Sequence, residues 1–389
     1  MSAAGAGLSH CRTAHATHPD AVLALRLAAA SLQAQWPAGV QPTLGVCYLT
    51  DSFAPQADAL WASLSALWPG VTWVGGASVG VLCDDAEYID EPALVLWLSD
   101  LPRSVWQVFH GTAPLRTNAR FQPHCALVHA DPHTPDLPEL LPELAQRTAS
   151  GYLFGGLTAS RSRSVQLADG LWQGGLSGVA FGADVALVSR ITQGCQPVAP
   201  VRRITEADDN VVLTLDGEAA LDVLLRDLQI DLKRPGSAMP VLRATLVGLT
   251  DADDTALQRS GQFGPQVRVR HLLGLDVARR GVVLSERAAT GSQATLCQRN
   301  AEAAARDLTG MATALRAQAE EQGLRVQAAH YVSCAGRGGP HFGAPHAEAQ
   351  RLRRALGDVP TVGFFAGGEI AHDQLYGYSG VLTVFTHPA

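Results

Sequence analysis

Apolar positions along this chain fall into two spacings that take turns. Between Asp20 and Trp36, residues Val22, Leu23, Leu25, Ala29 and Leu32 follow a helical stripe, which Pro37 and Gly39 end. LGVCYLTDS then runs apolar without a break, the pattern of a buried strand. After the capping candidates Asp51 and Ser52, helical spacing returns at Ala57, Leu60, Trp61, Leu64, Leu67 and Trp68. VTWVGGASVG and ALVLWLSD predict two further strands.

The same order recurs twice. HCALVHAD predicts a strand, and Leu137, Leu140, Leu141, Leu144 and Ala145 form a helical stripe kinked or shortened by Pro142. GYLFGGLTAS predicts the next strand, and Asp169-Gly170 predicts a tight hairpin between SVQLA and LWQGGLSGVAF. The third pass uses AAHYVSCAGR, a helix over His346 to Leu356, PTVGFFAGGEI and SGVLTVF. The three double glycines, Gly75-Gly76, Gly155-Gly156 and Gly367-Gly368, are expected at matching places of an internal pseudo-repeat. The fold class read from this pattern is α/β, with layered mixed β-sheets flanked by helices and repeated strand-helix-strand-strand units.

A different segment separates the second and third units. TLDGEAALDVLLRDL predicts a turn into a helix, RATLVGLT and VRVRHLLGLD predict strands, and Arg299 to Gln322 predicts a long helix stopped by Gly323. Lys233 to Pro240, with its Pro, Gly and Ser, is expected to be a loop, and the boundary between halves is expected near Ala207 to Asp216.

Read together, TWVGGASVG, LFGGLTASR, ADGLWQGGLSGVAF, QGCQPVAPVRRIT and LDGEAALDVLL, followed by SCAGRGGPHFG, the helix with Glu348 and VPTVGFFAGGEI, resemble the FIST family: a FIST N-terminal domain followed by a FIST C domain. The resemblance runs from about Pro42 to Phe385 and implies an N-terminal extension and helix over 1–41, a FIST N-like domain over 42–210 and a FIST C-like domain over 211–389. It implies a bacterial sensory module of signal transduction that binds a small ligand, with amino acids proposed for the family. No F-box is recognisable before residue 42, and no kinase, cyclase or methyl-acceptor pattern follows. Output is therefore expected through a separate signalling protein.

Composition narrows the alternatives. The hydrophobic fraction of 47% against 17% charged residues describes a globular chain with a large core. A net charge of −7 gives no footprint for nucleic acid. Lys233 is the only lysine, so arginine usage follows the genome's codon bias rather than a basic patch. Seven cysteines, never spaced as CxxC, argue against a disulfide framework or zinc ribbon and for a reducing cytoplasm. With no signal peptide ahead of the first apolar helix and no apolar run near about 20 residues, no membrane insertion is expected.

The chemistry concentrates in VSCAGRGGPHFGAPHAEAQ. Gly336, Gly338 and Gly339 permit close backbone approach, and Arg337 adds a fork suited to a carboxylate or phosphate; a tight turn with Arg337 paired to a structural carboxylate is the alternative. The spacing matches neither GxxxxGK[ST] nor GxGxxG. Cys334 is a candidate nucleophile with His330 or His341 as base, or else a core thiol. Glu369 stands in an apolar segment, where a lone carboxylate is too costly to leave unpaired. Facing one cavity, Arg337 and Glu369 could hold the carboxylate and amino groups of an amino acid; paired with each other, they would be structural. Repeat logic adds Thr158 and Arg161 as secondary pocket residues, with a surface hairpin as the alternative.

His10, Cys11, His15 and His18 are expected to be chance histidines on a floppy end rather than a metal site. His341, His346 and His372 lack HExxH spacing, so neither a metal nor a cofactor is expected. The reading is small-ligand sensing without catalysis; a cysteine-dependent enzyme acting at Cys334 and a protein-interaction scaffold are the alternatives.

Overall fold

Three passes of the same strand and helix order build most of the chain. The computed structural model describes residues 8–233, 235–251 and 267–389. The first pass contains β1 (Cys11–Thr17), α1 (Ala21–Gln35), β2 (Leu44–Thr50), α2 (Ala57–Leu67), β3 (Thr72–Ser78), β4 (Gly80–Cys83), β5 (Ala86–Ile89) and β6 (Ala93–Ser99). The second contains β7 (Trp106–Phe109), β8 (Cys125–Ala130), α3 (Leu137–Ala145), β9 (Tyr152–Leu157), β10 (Gln166–Ala168), β11 (Leu171–Trp172) and β12 (Leu176–Phe181).

The third pass starts with β13 (Leu187–Gln193) and is interrupted by β14 (Cys195–Pro197), β15 (Arg202–Asp208), β16 (Val211–Leu215), β17 (Glu218–Ala219), α4 (Ala220–Asp227), α5 (Pro235–Ala244), β18 (Thr245–Thr250), β19 (Arg268–Asp276), β20 (Gly281–Leu284) and β21 (Gln293–Arg299). It resumes with α6 (Ala301–Glu321), β22 (Leu324–Cys334), α7 (Ala347–Leu356), β23 (Thr361–Ala366), β24 (Glu369–His372), β25 (Gln374–Tyr376) and β26 (Ser379–Pro388).

Each pass forms a six-stranded sheet around a parallel pair joined by a helix: β2 with β3, β8 with β9, and β22 with β23. The returning strand of each pass, β6, β12 or β26, lies antiparallel beside the first member of its pair. The hairpins after the parallel pairs do not stay at home. β4 pairs with β23, β10 with β3, and β24 with β9, so each pass lends a hairpin to the edge of another sheet, in a closed cycle.

The inner faces of all three sheets meet in one core that includes Val46, Val95, Trp97, Leu127, Phe154, Phe181, Val332, Phe364 and Phe385. Helices α1 and α2 cover the outer face of the first sheet, and α3 that of the second. Helix α1 begins where Asp20 accepts a bond from the Leu23 amide at 2.8 Å, a side-chain cap for an otherwise unpaired N–H.

At the double glycines the ladder is tight. Gly75 and Gly155 lie opposite Cys47 and Val128 with φ of 141°, and a Cβ on either would sit 2.0 Å from the facing carbonyl oxygen. The matching residue of the third sheet is Gly363, opposite Tyr331. The expected match to Gly367-Gly368 is thus corrected: that pair lies beyond β23, bonded to Leu157 at the end of β9, where it passes the chain to the neighbouring sheet.

Two other expectations change. Residues 11–17 are not a floppy end but the edge strand β1, in register with β6 from Cys11 opposite Ser99 to Thr17 opposite Ala93. Pro235 to Pro240 belongs to α5 rather than to a loop, with proline at its first position, where a missing N–H costs no helical bond.

The described chain separates into two compact units: one ends at Thr192 and resumes at Leu308–Ala389, and the other is Gln193–Asp307. In the second, β21 bonds to both β15 and β18, and β16, β20 and β19 complete the circuit, giving a closed six-stranded barrel. Its core holds Ile204, Val212, Leu224 and Leu296, with α4 contributing Val223. Among the described residues, no helix is long and apolar enough to cross a membrane.

Candidate functional site

Alternation along β22 sends its side chains to two different places. Tyr331 and Ser333 point toward α7, where the Tyr331 hydroxyl donates to Glu348 Oε1 at 2.7 Å and Ser333 Oγ donates at 2.9 Å. His330 points into the three-sheet core, where its Nε2 lies 2.6 Å from the Tyr48 hydroxyl. His129 Nε2 approaches the same hydroxyl at 2.8 Å, so β2, β8 and β22 each contribute one group to a buried node. Burial alone pulls His129 down to about 3; for His330, burial and then its neighbour His129 have the same result.

At the end of β22 the chain turns, with the Arg337 amide donating to the Cys334 carbonyl at 2.8 Å. This turn folds the Arg337 side chain inward until it is wholly buried. Its Nη2 lies 3.1 Å from Glu348 Oε1, and its Nη1 donates to the Thr192 carbonyl at a long 3.3 Å. The guanidinium also stands over the Phe342 ring at 5.4 Å. Burial works against the charge, and Tyr331, Glu348 and Glu369 more than restore it. Arg337 Nε has no hydrogen-bond partner.

Glu369 enters the same cluster from β24. Its Oε2 accepts from the Ser379 amide at 3.0 Å and from Ser379 Oγ at 2.7 Å, while its Oε1 accepts no hydrogen bond. Burial pushes its carboxyl up to about 7, against the opposing pull of Ser379, Arg337 and Cys334. The second sheet exchange carries a neutral version: Gln166 on β10 faces Gly76 as Glu369 on β24 faces Gly156, and Gln166 Oε1 accepts from Ser177 Oγ. The same structural task is thus done by an uncharged side chain elsewhere in this fold.

Cys334, Arg337 and Glu369 lie in one buried cluster. The structural carboxylate of Arg337 is Glu348 rather than Glu369. The Cys334 thiol is pushed up to about 12 by burial and by Glu369, the wrong direction for a nucleophile at neutral pH. His330 is not its base, because that ring belongs to the Tyr48 node. Gly338 packs so closely that a Cβ there would lie 2.5 Å from Ile89 and 2.8 Å from Phe365, while the Gly336 amide supports the Cys334 sulfur.

Thr158 Oγ1 donates to the Ala130 carbonyl, and Arg161 is an exposed tie between Asp51 and Asp90. Tyr331, Ser333 and Ser379 were missed in the sequence, since a hydroxyl inside an apolar strand carries no signal of its partner. Two cavities among the described residues lie away from the cluster. One of about 20 Å³ lies in the barrel beside Val212, Leu224 and Leu284, and one of about 10 Å³ in the three-sheet core beside Val46, Phe154 and His330. Their size suits a single water at most, so the charged cluster outweighs them as a candidate.

Comparisons with known proteins cover most of the chain. The family described as FIST N domain matches residues 43–218, and the FIST C domain matches residues 220–372. An uncharacterised protein of Mycobacterium tuberculosis strain ATCC 25618 / H37Rv is 29% identical over 387 residues, covering 95% of this chain and 97% of its own. An uncharacterised protein of Mycobacterium bovis strain ATCC BAA-935 / AF2122/97 is 29% identical over 392 residues, with the same coverage. The division between the two family domains falls inside the barrel unit, because the inserted segment begins before the FIST N match ends.

Proposed function

We propose, from the premise that this chain belongs to the FIST family, whose domains are sensory domains of signal transduction, that it binds a small zwitterion at Arg337 and Glu369. An amino acid is the simplest such ligand: its carboxylate takes the free edge of the Arg337 guanidinium, and its ammonium takes Glu369 Oε1. One observation carries the reading. Two fully buried, oppositely charged groups of one cluster each keep a polar atom without a hydrogen-bond partner, Arg337 Nε and Glu369 Oε1. Leaving such atoms unpaired costs about 1–3 kcal/mol each, more for charged groups, and a ligand of complementary charge would recover that cost.

The cluster is closed to solvent, so binding requires the turn after Cys334 to move. Gly336 and Gly338 in that turn, with Cys334 against Glu369, belong to the proposed site. Thr158 and Arg161 would act at its margin by bracing the neighbouring strand exit. The family is typically non-enzymatic, and the raised Cys334 thiol supports sensing over catalysis. Output would pass to a separate signalling protein. Free thiols at all seven cysteines support a cytoplasmic setting.

A thermal-shift screen of the amino acids, run on the full chain and on Glu369→Gln, tests the reading. At least one amino acid should raise the melting temperature of the unaltered protein. The shift should vanish in Glu369→Gln while a deaminated analogue still binds. If no amino acid stabilises the folded protein, the reading is wrong.

A further inference from the structure

The barrel is inserted in the chain between β13 and α6, and its two chain ends run back to back. The Asn300 amide donates to the Gly194 carbonyl at 3.2 Å, and the Val198 amide to the Leu296 carbonyl at 2.9 Å. Between these bonds β14 lies antiparallel to β21, with Cys195 opposite Arg299 and Pro197 opposite Cys297. Residues two apart on a strand share a face, so Cys195 and Cys297 are diagonal neighbours on one face of this ladder.

We propose that Cys195 and Cys297 are a redox-operated staple, oxidised by a hydroperoxide to a disulfide that locks the neck of the barrel. Cys297 lies diagonally across the ladder from Cys195, and Cys195, with burial second, holds the Cys297 thiol well above its ordinary range. Cys195 is the more accessible of the two, 5% exposed against 0% for Cys297. It also sits on a strand of three residues that pairs with β21 alone among the described strands, so a small oxidant reaches it by fraying one short edge.

The chemistry needs only the oxidant. The Cys195 thiolate attacks the peroxide, whose O–O bond breaks, giving Cys195 sulfenic acid and, after protonation, one water. The Cys297 sulfur then attacks the sulfenic sulfur, its own proton leaves with the displaced hydroxide as a second water, and the S–S bond forms. Two thiols are oxidised and one peroxide is reduced. The bond closes a loop of about 100 residues, the length class for which a cross-link restricts the unfolded chain most. The staple is independent of the Arg337 and Glu369 reading.

The test is peroxide treatment of the full chain, alkylation under denaturing conditions and peptide mapping without reductant. The expected product is a single linked pair of peptides carrying Cys195 and Cys297, cleaved by dithiothreitol, with the other five cysteines recovered as alkylated thiols. Oxidation should raise the heat-unfolding midpoint of the barrel by about 10 °C, and Cys195→Ser should abolish that rise. Mapping of the unaltered protein keeps the test valid even if Cys195→Ser folds poorly. Recovery of both Cys195 and Cys297 as alkylated thiols, or of Cys195 as sulfinic acid, overturns the proposal.

Discussion

Tyr48 and His330 are 282 positions apart and share a hydrogen bond of 2.6 Å in the core where three sheets meet. The phenol has one proton, so it donates to one of its two imidazoles and accepts from the other. Burial keeps both rings neutral, so His129 and His330 must be opposite tautomers. The Nδ1 atoms of both rings have no partner, so Tyr48 is what compensates their burial.

Tyr48→Phe would keep the ring contact with Phe364, at 4.7 Å, and remove both hydrogen bonds. It should cost about 2–5 kcal/mol, because two buried Nε2 atoms lose their partner. Urea unfolding measures it, and a loss below about 0.5 kcal/mol would refute the node as a stabilising element.

Acid should weaken the fold through the same node. With folded-state values of about 3 against an ordinary 6.5, both histidines bind protons more readily in the unfolded chain. Their contribution is complete above about pH 6.5 and falls as pH drops toward 3, by up to about 1.4 kcal/mol per pH unit for each ring. Stability from urea unfolding at pH 7, 6, 5 and 4 should show this slope, and His330→Gln should roughly halve it, leaving the His129 share.

Glu369 has the opposite sign. Its folded value of about 7 lies above the ordinary 4.5, so the fold favours its neutral form and loses stability as pH rises between those values. Glu369→Gln should be more stable than the unaltered protein by about 3 kcal/mol at pH 8 and nearly equal to it at pH 4. Gln166 shows that the amide suits this position of the fold. A variant less stable at pH 8 would show that the charge is structural.

Arg337→Ala leaves Glu348 buried without its cation and should cost about 3–5 kcal/mol. Chemical denaturation measures it, and a loss under about 1 kcal/mol would mean that Tyr331 and Ser333 alone satisfy the carboxylate.

Gly155→Ala should be far more damaging than Gly310→Ala. The first forces a Cβ to 2.0 Å from the Val128 carbonyl oxygen at a φ of 141° and should cost several kcal/mol or prevent folding. The second fills open space on the exposed face of α6 and should gain about 0.5–1 kcal/mol. Parallel thermal melts decide it; similar behaviour of the two variants would contradict the tight ladder at Gly155.

Strands such as LGVCYLT and ALVLWLS were legible because burial on both faces removes polar residues from the whole run. CRTAHAT was not, because β1 is an edge strand whose alternation leaves histidine and threonine outward, which resembles a polar tail. The exchanged hairpins were invisible for a different reason: β4, β10 and β24 are short and carry no mark of the distant strand that receives them. The node did leave a trace. Tyr48, His129 and His330 each interrupt an apolar strand with one polar group, but spacing along the chain says nothing about three such groups meeting. At the site, Arg337 and Glu369 stood out by charge in apolar company, whereas the ion pair with Glu348 depends on how α7 returns over β22.

The exchange of hairpins has a consequence for how this chain comes into being. No pass completes its own sheet, since the first takes an edge from the second, the second from the third and the third from the first. A nascent chain that stops before β24 leaves the β9 edge bare, and one that stops before β26 leaves β22 without its antiparallel neighbour. Three repeats of one outline thus form a ring of mutual dependence, in which truncation at any repeat boundary should yield an aggregating fragment rather than a smaller protein.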